Sequence, residues 1–218
     1  MMKQFLRFLL QVVFVIAVLP AQAGSYVDFF RALQLDNEQA VKEILADGFD
    51  PNAVSESGDV ALALALKEGS DKVARLLLAH PAIQVDQASA RGETALMMAA
   101  LAGRLDWVER LIARGAAVNR EGWTPLHYAA SGSDRTVIVR LVERGALLDA
   151  RSPNGSTPLM MAASYGDQRN AQTLLGLGAD VSLRNAQGLD AAEFARRAGR
   201  DALADQLAAA AARPQRGR

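Results

Sequence analysis

The chain has 218 residues, half of them apolar but only 6% aromatic, which suffices for a sizeable core and, with alanine and leucine dominant, favours close-packed helices over a β-sandwich. Lys plus Arg equals Asp plus Glu at 24 each, so no global charge points to nucleic acid. With no cysteine anywhere, the fold has no disulfides and no cysteine lipid anchor to rest on.

The first element is a leader-like segment. Lys3 and Arg7 precede an apolar stretch, Phe8 to Leu19, broken only by Gln11 and ended by Pro20. Ala21-Gln22-Ala23 then supplies the small-x-small pattern of a signal-peptidase site, so residues 1–23 read as a signal peptide and the mature chain is expected to begin at Gly24. An uncleaved anchor is the alternative, but the stretch falls short of the roughly 20 apolar residues a spanning helix needs. Export to the periplasm is the expectation, with no membrane attachment after cleavage; secretion to the medium stays open.

Charge is uneven beyond the leader. Residues 24–73 hold ten acids against Arg31, Lys42, Lys67 and Lys72, a net of −6, whereas residues 74–212 hold 15 Arg and 14 acids. Residues 213–218 form a short basic tail with Arg213, Arg216 and Arg218.

Between these ends the sequence repeats itself. Gly92-Glu93-Thr94-Ala95-Leu96-Met97-Met98-Ala99-Ala100 returns as Gly122-Trp123-Thr124-Pro125-Leu126-His127-Tyr128-Ala129-Ala130, and again from Gly155 to Ala163. Weaker copies begin at Ser25, Gly58 and Gly188. One column is alanine in all six copies: Ala32, Ala65, Ala99, Ala129, Ala162 and Ala195. Another is large and apolar in five: Phe29, Leu62, Leu96, Leu126 and Leu159, with Ala192 the exception. Small beside large at fixed spacing is what interdigitated helix layers require.

Each copy contains a second apolar set spaced i, i+3, i+4, as in Val41-Ile44-Leu45, Val108-Leu111-Ile112, Ile138-Leu141-Val142 and Ala171-Leu174-Leu175, which is one face of a helix. Gly48, Gly115, Gly145 and Gly178 follow these sets as left-handed caps. Thr124-Pro125 and Thr157-Pro158 open the first helix of their copies, threonine as N-cap and proline at the first helical position. The unit is therefore turn, helix, turn, helix and an extended loop.

That unit resembles the ankyrin repeat, whose signature Gly-x-Thr-Pro-Leu-His-x-Ala-Ala is matched throughout by residues 122–130. The resemblance covers residues 24–212, with repeats near 25–57, 58–91, 92–121, 122–154, 155–187 and 188–212. It implies a mainly α solenoid of about six stacked helix-turn-helix units, joined by loops that fold as β-hairpin fingers. The first and last copies depart from the pattern as capping units should, with Asp28, Glu193, Arg196 and Arg197 at positions that are apolar or small inside. The third finger, Ala116 to Glu121, is three residues shorter than its neighbours.

No constellation for catalysis appears: there is no nucleophile elbow, no phosphate-binding glycine loop, and no recurrent carboxylate pair. His80 and His127 are the two histidines, so a zinc site lacks ligands and no cofactor is expected. The resemblance assigns His127 a structural role, tying adjacent turns; His80 sits at a helix end. Met97-Met98 and Met160-Met161 read as core filling, Trp107 as core, and Asn154-Gly155 as a turn.

The resemblance implies a monomeric, non-enzymatic protein that binds another protein. It is similar to small exported bacterial ankyrin proteins, a periplasmic adaptor or protective binder, with a secreted effector of host proteins as the alternative. Positions that vary freely between copies are those available for recognition. Leu101, Trp123 and Tyr165 are large at such positions in three consecutive repeats and are expected side by side as anchors. Arg91, Glu93 and Arg120 on the adjoining fingers complete the expected partner-binding set.

Overall fold

A computed structural model describes residues 24–212; the expected leader, 1–23, and basic tail, 213–218, lie outside the described residues. The alanine column explains the layout. Its members are 0–6% exposed, as are the large partners beside them, so each small side chain admits the next helix. A first helix and a second helix alternate through six repeats. The described part of α1 spans 24–34. It is followed by α2 (Glu38–Ala46), α3 (Ala61–Glu68), α4 (Asp71–Ala79), α5 (Ala95–Leu101) and α6 (Leu105–Ala113). The rest are α7 (Pro125–Ser131), α8 (Arg135–Glu143), α9 (Pro158–Ser164), α10 (Gln168–Gly176), α11 (Ala191–Arg197) and α12 (Asp201–Ala211).

From α3 to α11 the first helices pack in succession, and more closely than the second helices do. The cause is chemical: alanines line the first row, whereas bulkier sets such as Val108-Leu111 and Ile138-Leu141 fill the second. A stack tighter on one side curves toward that side, so the first-helix row forms the concave face. The second-helix sets are buried as their spacing requires, and Gly48, Gly115, Gly145 and Gly178 adopt φ of 91°, 98°, 88° and 97°, the left-handed caps expected.

The fingers follow the path of a hairpin without its ladder. Among the described residues the strand pairing is one antiparallel bridge, Val54 to Val60. Four fingers close instead by a tight turn in which a glycine N–H donates to the carbonyl three residues earlier: Gly58 to Ser55, Gly92 to Ser89, Gly155 to Ser152 and Gly188 to Asn185, at 2.7–2.9 Å. The short third finger shows no such closing bond. There Asn119 reaches the next repeat, its Nδ2 donating to Gly145 O at 2.7 Å and its Oδ1 accepting from Leu147 N at 2.8 Å.

That bridge belongs to a ladder of short polar side chains joining repeat to repeat. Asn52 accepts from Gln84 N at 2.7 Å, Asp86 from Ala117 N at 2.9 Å, and Asp149 from Asp180 N at 3.0 Å. At the opposite end of the helices, Asn170 Nδ2 donates to Gly132 O at 2.7 Å, and Arg200 Nη1 to Gly166 O at 2.5 Å. Both satisfy carbonyls that a helix terminus leaves without partners. Gly132 and Gly166 also let each first helix end close against the preceding repeat: a Cβ there would stand 2.6 Å from Leu101 O and 2.0 Å from Ala130 O.

His127 is wholly buried. Its Nδ1 accepts from Thr124 N at 3.2 Å and pairs with Thr124 Oγ1 at 2.9 Å, while Nε2 faces Ser156 O at 3.0 Å. These partners assign the proton to Nε2, and burial pulls the imidazole pKa below its ordinary value, keeping the ring neutral. In repeats three and five the same task falls to sulfur: Thr94 N donates to Met97 Sδ at 3.5 Å and Thr157 N to Met160 Sδ at 3.4 Å. Trp107 is core, at 1% exposed.

Candidate protein-binding face

On a helix, residues three apart share a face, so the outer register of each first helix, seven or eight residues long from α3 to α11, presents one row of the concave surface. From repeat two onward the rows are Leu64 with Lys67, Met98 with Leu101, Tyr128 with Ser131, Met161 with Ser164, and Phe194 with Arg197. The residue after each finger glycine, namely Asp59, Glu93, Trp123, Ser156 and Leu189, adds a third column. Ends of the face are charged; its middle is apolar and aromatic.

Tyr128, Met161, Phe194 and Trp123 are half-buried, packed against the core with one side open. Trp123 stands edge-on to His127, ring centroids 5.2 Å apart. Since His127 holds Ser156 of the next finger, the indole is fixed at the junction of fingers three and four.

Toward the first repeats this apolar stripe meets a continuous polar network. Tyr128 hydroxyl donates to Glu93 Oε1 at 3.2 Å, Arg91 Nε donates to Glu93 Oε2 at 3.0 Å, and Arg91 Nη2 bonds Asp59 Oδ1. Lys67 Nζ lies 3.8 Å from Asp59 Oδ2. Burial, then the Glu93 charge, pushes the Tyr128 phenol up to about 12, so it remains a neutral donor at any physiological pH. Arg120 Nη1 donates to Gly92 O at 3.0 Å and closes the cluster.

The structure does not bring the expected anchor trio together. Leu101 and Tyr165 are 41% and 67% exposed, but they occupy the C-terminal ends of α5 and α9, with repeat four between them. Trp123 precedes α7 by two residues, at the opposite end of the first-helix row. Seven residues at about 1.5 Å each separate those ends by roughly 10 Å, so the three do not form one cluster. Arg91, Glu93 and Arg120, by contrast, lie together with Trp123 on the finger side. Sequence reasoning did not single out Tyr128 or Phe194 and read Met161 as core filling. Their spacing of three from the freely varying column carried the signal.

Among the described residues no group of three or more His, Cys, Asp or Glu is placed to hold a metal ion, and no helix is long and apolar enough to cross a membrane. The open groove on this face, about 580 Å³ between α1 and α3, is lined by Arg31, Lys67 and Arg91 as well as Glu56, Asp59 and Glu68. Its charges are balanced.

Comparison with known families gives a match to ankyrin repeats, in three copies, over residues 29–121 and 116–185. The chain belongs to the ankyrin-repeat family. Ankyrin repeats are protein-interaction modules, which agrees with a face of half-buried apolar groups. Among curated relatives, the nuclear factor NF-kappa-B p105 subunit of Gallus gallus is 32% identical over 158 residues, covering 69% of this chain and 16% of that protein. Protein glp-1 of Caenorhabditis elegans is 27% identical over 168 residues, covering 70% of this chain and 13% of that protein. The chain thus spans about a sixth or less of the curated relatives it matches. In solved structures, a chain from the complex of the predatory endopeptidase Bd0816 of Bdellovibrio bacteriovorus with immunity protein Bd3460 is similar. It has a TM-score of 0.69 and 26% identity, with 84% of this chain and 97% of that chain covered.

Proposed function

We propose that this ankyrin chain is an exported, monomeric, non-catalytic protein that works in the periplasm as a protective binder, docking its concave first-helix face onto another protein. The observation that carries the reading is the end-to-end likeness to a chain of an endopeptidase–immunity protein complex, spanning 97% of that chain. The apolar row of Tyr128, Met161 and Phe194 supports it: an anchor row suits a protein surface, and no acid–base pair accompanies it. Export rests on the leader pattern over 1–23.

The experiment is to purify the mature chain from the periplasmic fraction, capture what binds it there, and assay that partner's activity with and without the chain. The expected result is a one-to-one complex in which the partner is restrained. A chain confined to the cytosol with residues 1–23 intact, or a captured partner wholly indifferent to it, would contradict the reading.

A further inference from the structure

The arginines of the finger row are not equivalent. Arg91 of finger two is neutralised by Asp59 and Glu93, and Arg184 of finger five by Asp190 at 2.7 Å and Glu193 at 3.0 Å. Arg120 and Arg151, on the two central fingers, have no carboxylate partner. Arg120 donates to Gly92 O at 3.0 Å, and Arg151 to Gly155 O at 3.1 Å and Arg184 O at 2.7 Å. Both are exposed. These carbonyl bonds orient each guanidinium without an ion pair.

Between them lies the apolar centre of the face. Fingers three and four are in contact, since a Cβ on Gly122 would stand 3.6 Å from Pro153 Cγ, and Trp123 is fixed at that junction through His127. Arg120 leans toward finger two and Arg151 toward finger five. The two cations thus flank Trp123 and Tyr128 across about two repeats, which at 8–10 Å per packed helix is roughly 16–20 Å. An extended segment crosses that span in about five or six residues, at about 3.3 Å each.

We propose that the junction of fingers three and four takes a partner segment carrying carboxylates on either side of an apolar or aromatic side chain. The carboxylates meet Arg120 and Arg151, where guanidinium–carboxylate pairing is geometrically favoured, and the apolar group packs on Trp123 and Tyr128. The proposal rests on the protein-binding reading above and names its chemistry. Glu121, exposed beside Arg120, lessens the local positive charge without bonding to it; because both arginines are exposed, binding of this kind is sensitive to salt.

The test pans the folded, full mature chain against a displayed library of random short peptides. The expected winners carry acidic residues flanking an apolar or aromatic one at that spacing, and they bind more weakly as salt rises. R120E/R151E should weaken the selected peptide about tenfold or more; R120K/R151K should retain most binding. R120Q/R151Q, checked by thermal melting, serves if the reversed-charge variant fails to fold. Enrichment of basic or uncharged peptides, or acidic ones indifferent to these variants, overturns the proposal. A periplasmic partner whose capture survives R120E/R151E also overturns it, while leaving the protective role standing. Selection of acidic peptides as expected, with no restrained partner in the periplasm, overturns the role and upholds the chemistry.

Discussion

Replacing His127 probes the one buried imidazole against a control supplied by the protein itself. In His127→Ala the Thr124 N–H loses its acceptor inside the core, at about 1–3 kcal/mol for an unsatisfied buried group, and the bond to Ser156 O is lost at about 1 kcal/mol. The sum is about 2–4 kcal/mol. His127→Met is milder, because repeats three and five already use Met97 and Met160 sulfur for the threonine N–H. Ser156 O also keeps its bond from Ser152 N, at 3.0 Å, so methionine should cost about 1 kcal/mol. In a chain of this size each kcal/mol lowers the melting temperature by about 2–4 °C. The two proteins should separate clearly by calorimetry or urea titration. A pH arm adds a sign. The folded state holds the ring neutral with its pKa lowered, whereas the unfolded chain takes up a proton near pH 6.5. The unfolded state therefore binds more protons as pH falls through that value, and stability drops. Below about pH 6.5 the wild type should lose stability faster than His127→Met. Equal melting of the alanine and methionine variants, or parallel pH curves for wild type and His127→Met, would refute the reasoning.

Other substitutions test other links. Ala129→Leu should cost about 1–3 kcal/mol or more by overpacking the fully buried alanine column; an unchanged urea midpoint would mean that the column is not a contact. Gly166→Ala should destabilise far more than Gly176→Ala, since the new Cβ stands 2.0 Å from Ala130 O in the first case and meets nothing within 4 Å in the second. Comparable midpoints for the two would discredit the packing described at Gly166. Trp123→Ala should weaken partner capture about tenfold or more with a smaller effect than Ala129→Leu on stability, whereas Leu101→Ala and Tyr165→Ala should affect binding less. Full binding by Trp123→Ala would move recognition away from the finger junction. Intact mass of the periplasmic protein should begin at Gly24; a species retaining Met1 would contradict cleavage after Ala23.

Much of the architecture was legible because packing leaves periodic traces. The alanine column, the i, i+3, i+4 sets and the capping glycines recur at fixed spacing, and each recurs for a local steric reason. His127 was readable from the signature around it. The ladder of Asn52, Asp86, Asn119 and Asp149 was not, because Asn and Asp are ordinary loop residues until a neighbouring repeat brings an amide within reach. The site was legible in part. Arg91, Glu93, Arg120 and Trp123 gather at the finger roots because their fingers follow one another. Leu101 and Tyr165 vary as freely in sequence, but a first helix's length sets them apart from Trp123. Which arginines are neutralised depends on finger geometry that spacing alone does not give.

The central claim, that recognition uses the concave first-helix face, is tested most directly by photocrosslinking in the cell from single positions on opposite sides of the same repeats. A photoreactive residue at Ser131 or Ser164, both half-buried on the first-helix row, is compared with one at Val139 or Thr173 beside the groove of the second-helix row. The account predicts a discrete partner adduct from Ser131 and Ser164 and none from Val139 or Thr173; adducts confined to the latter pair would contradict it.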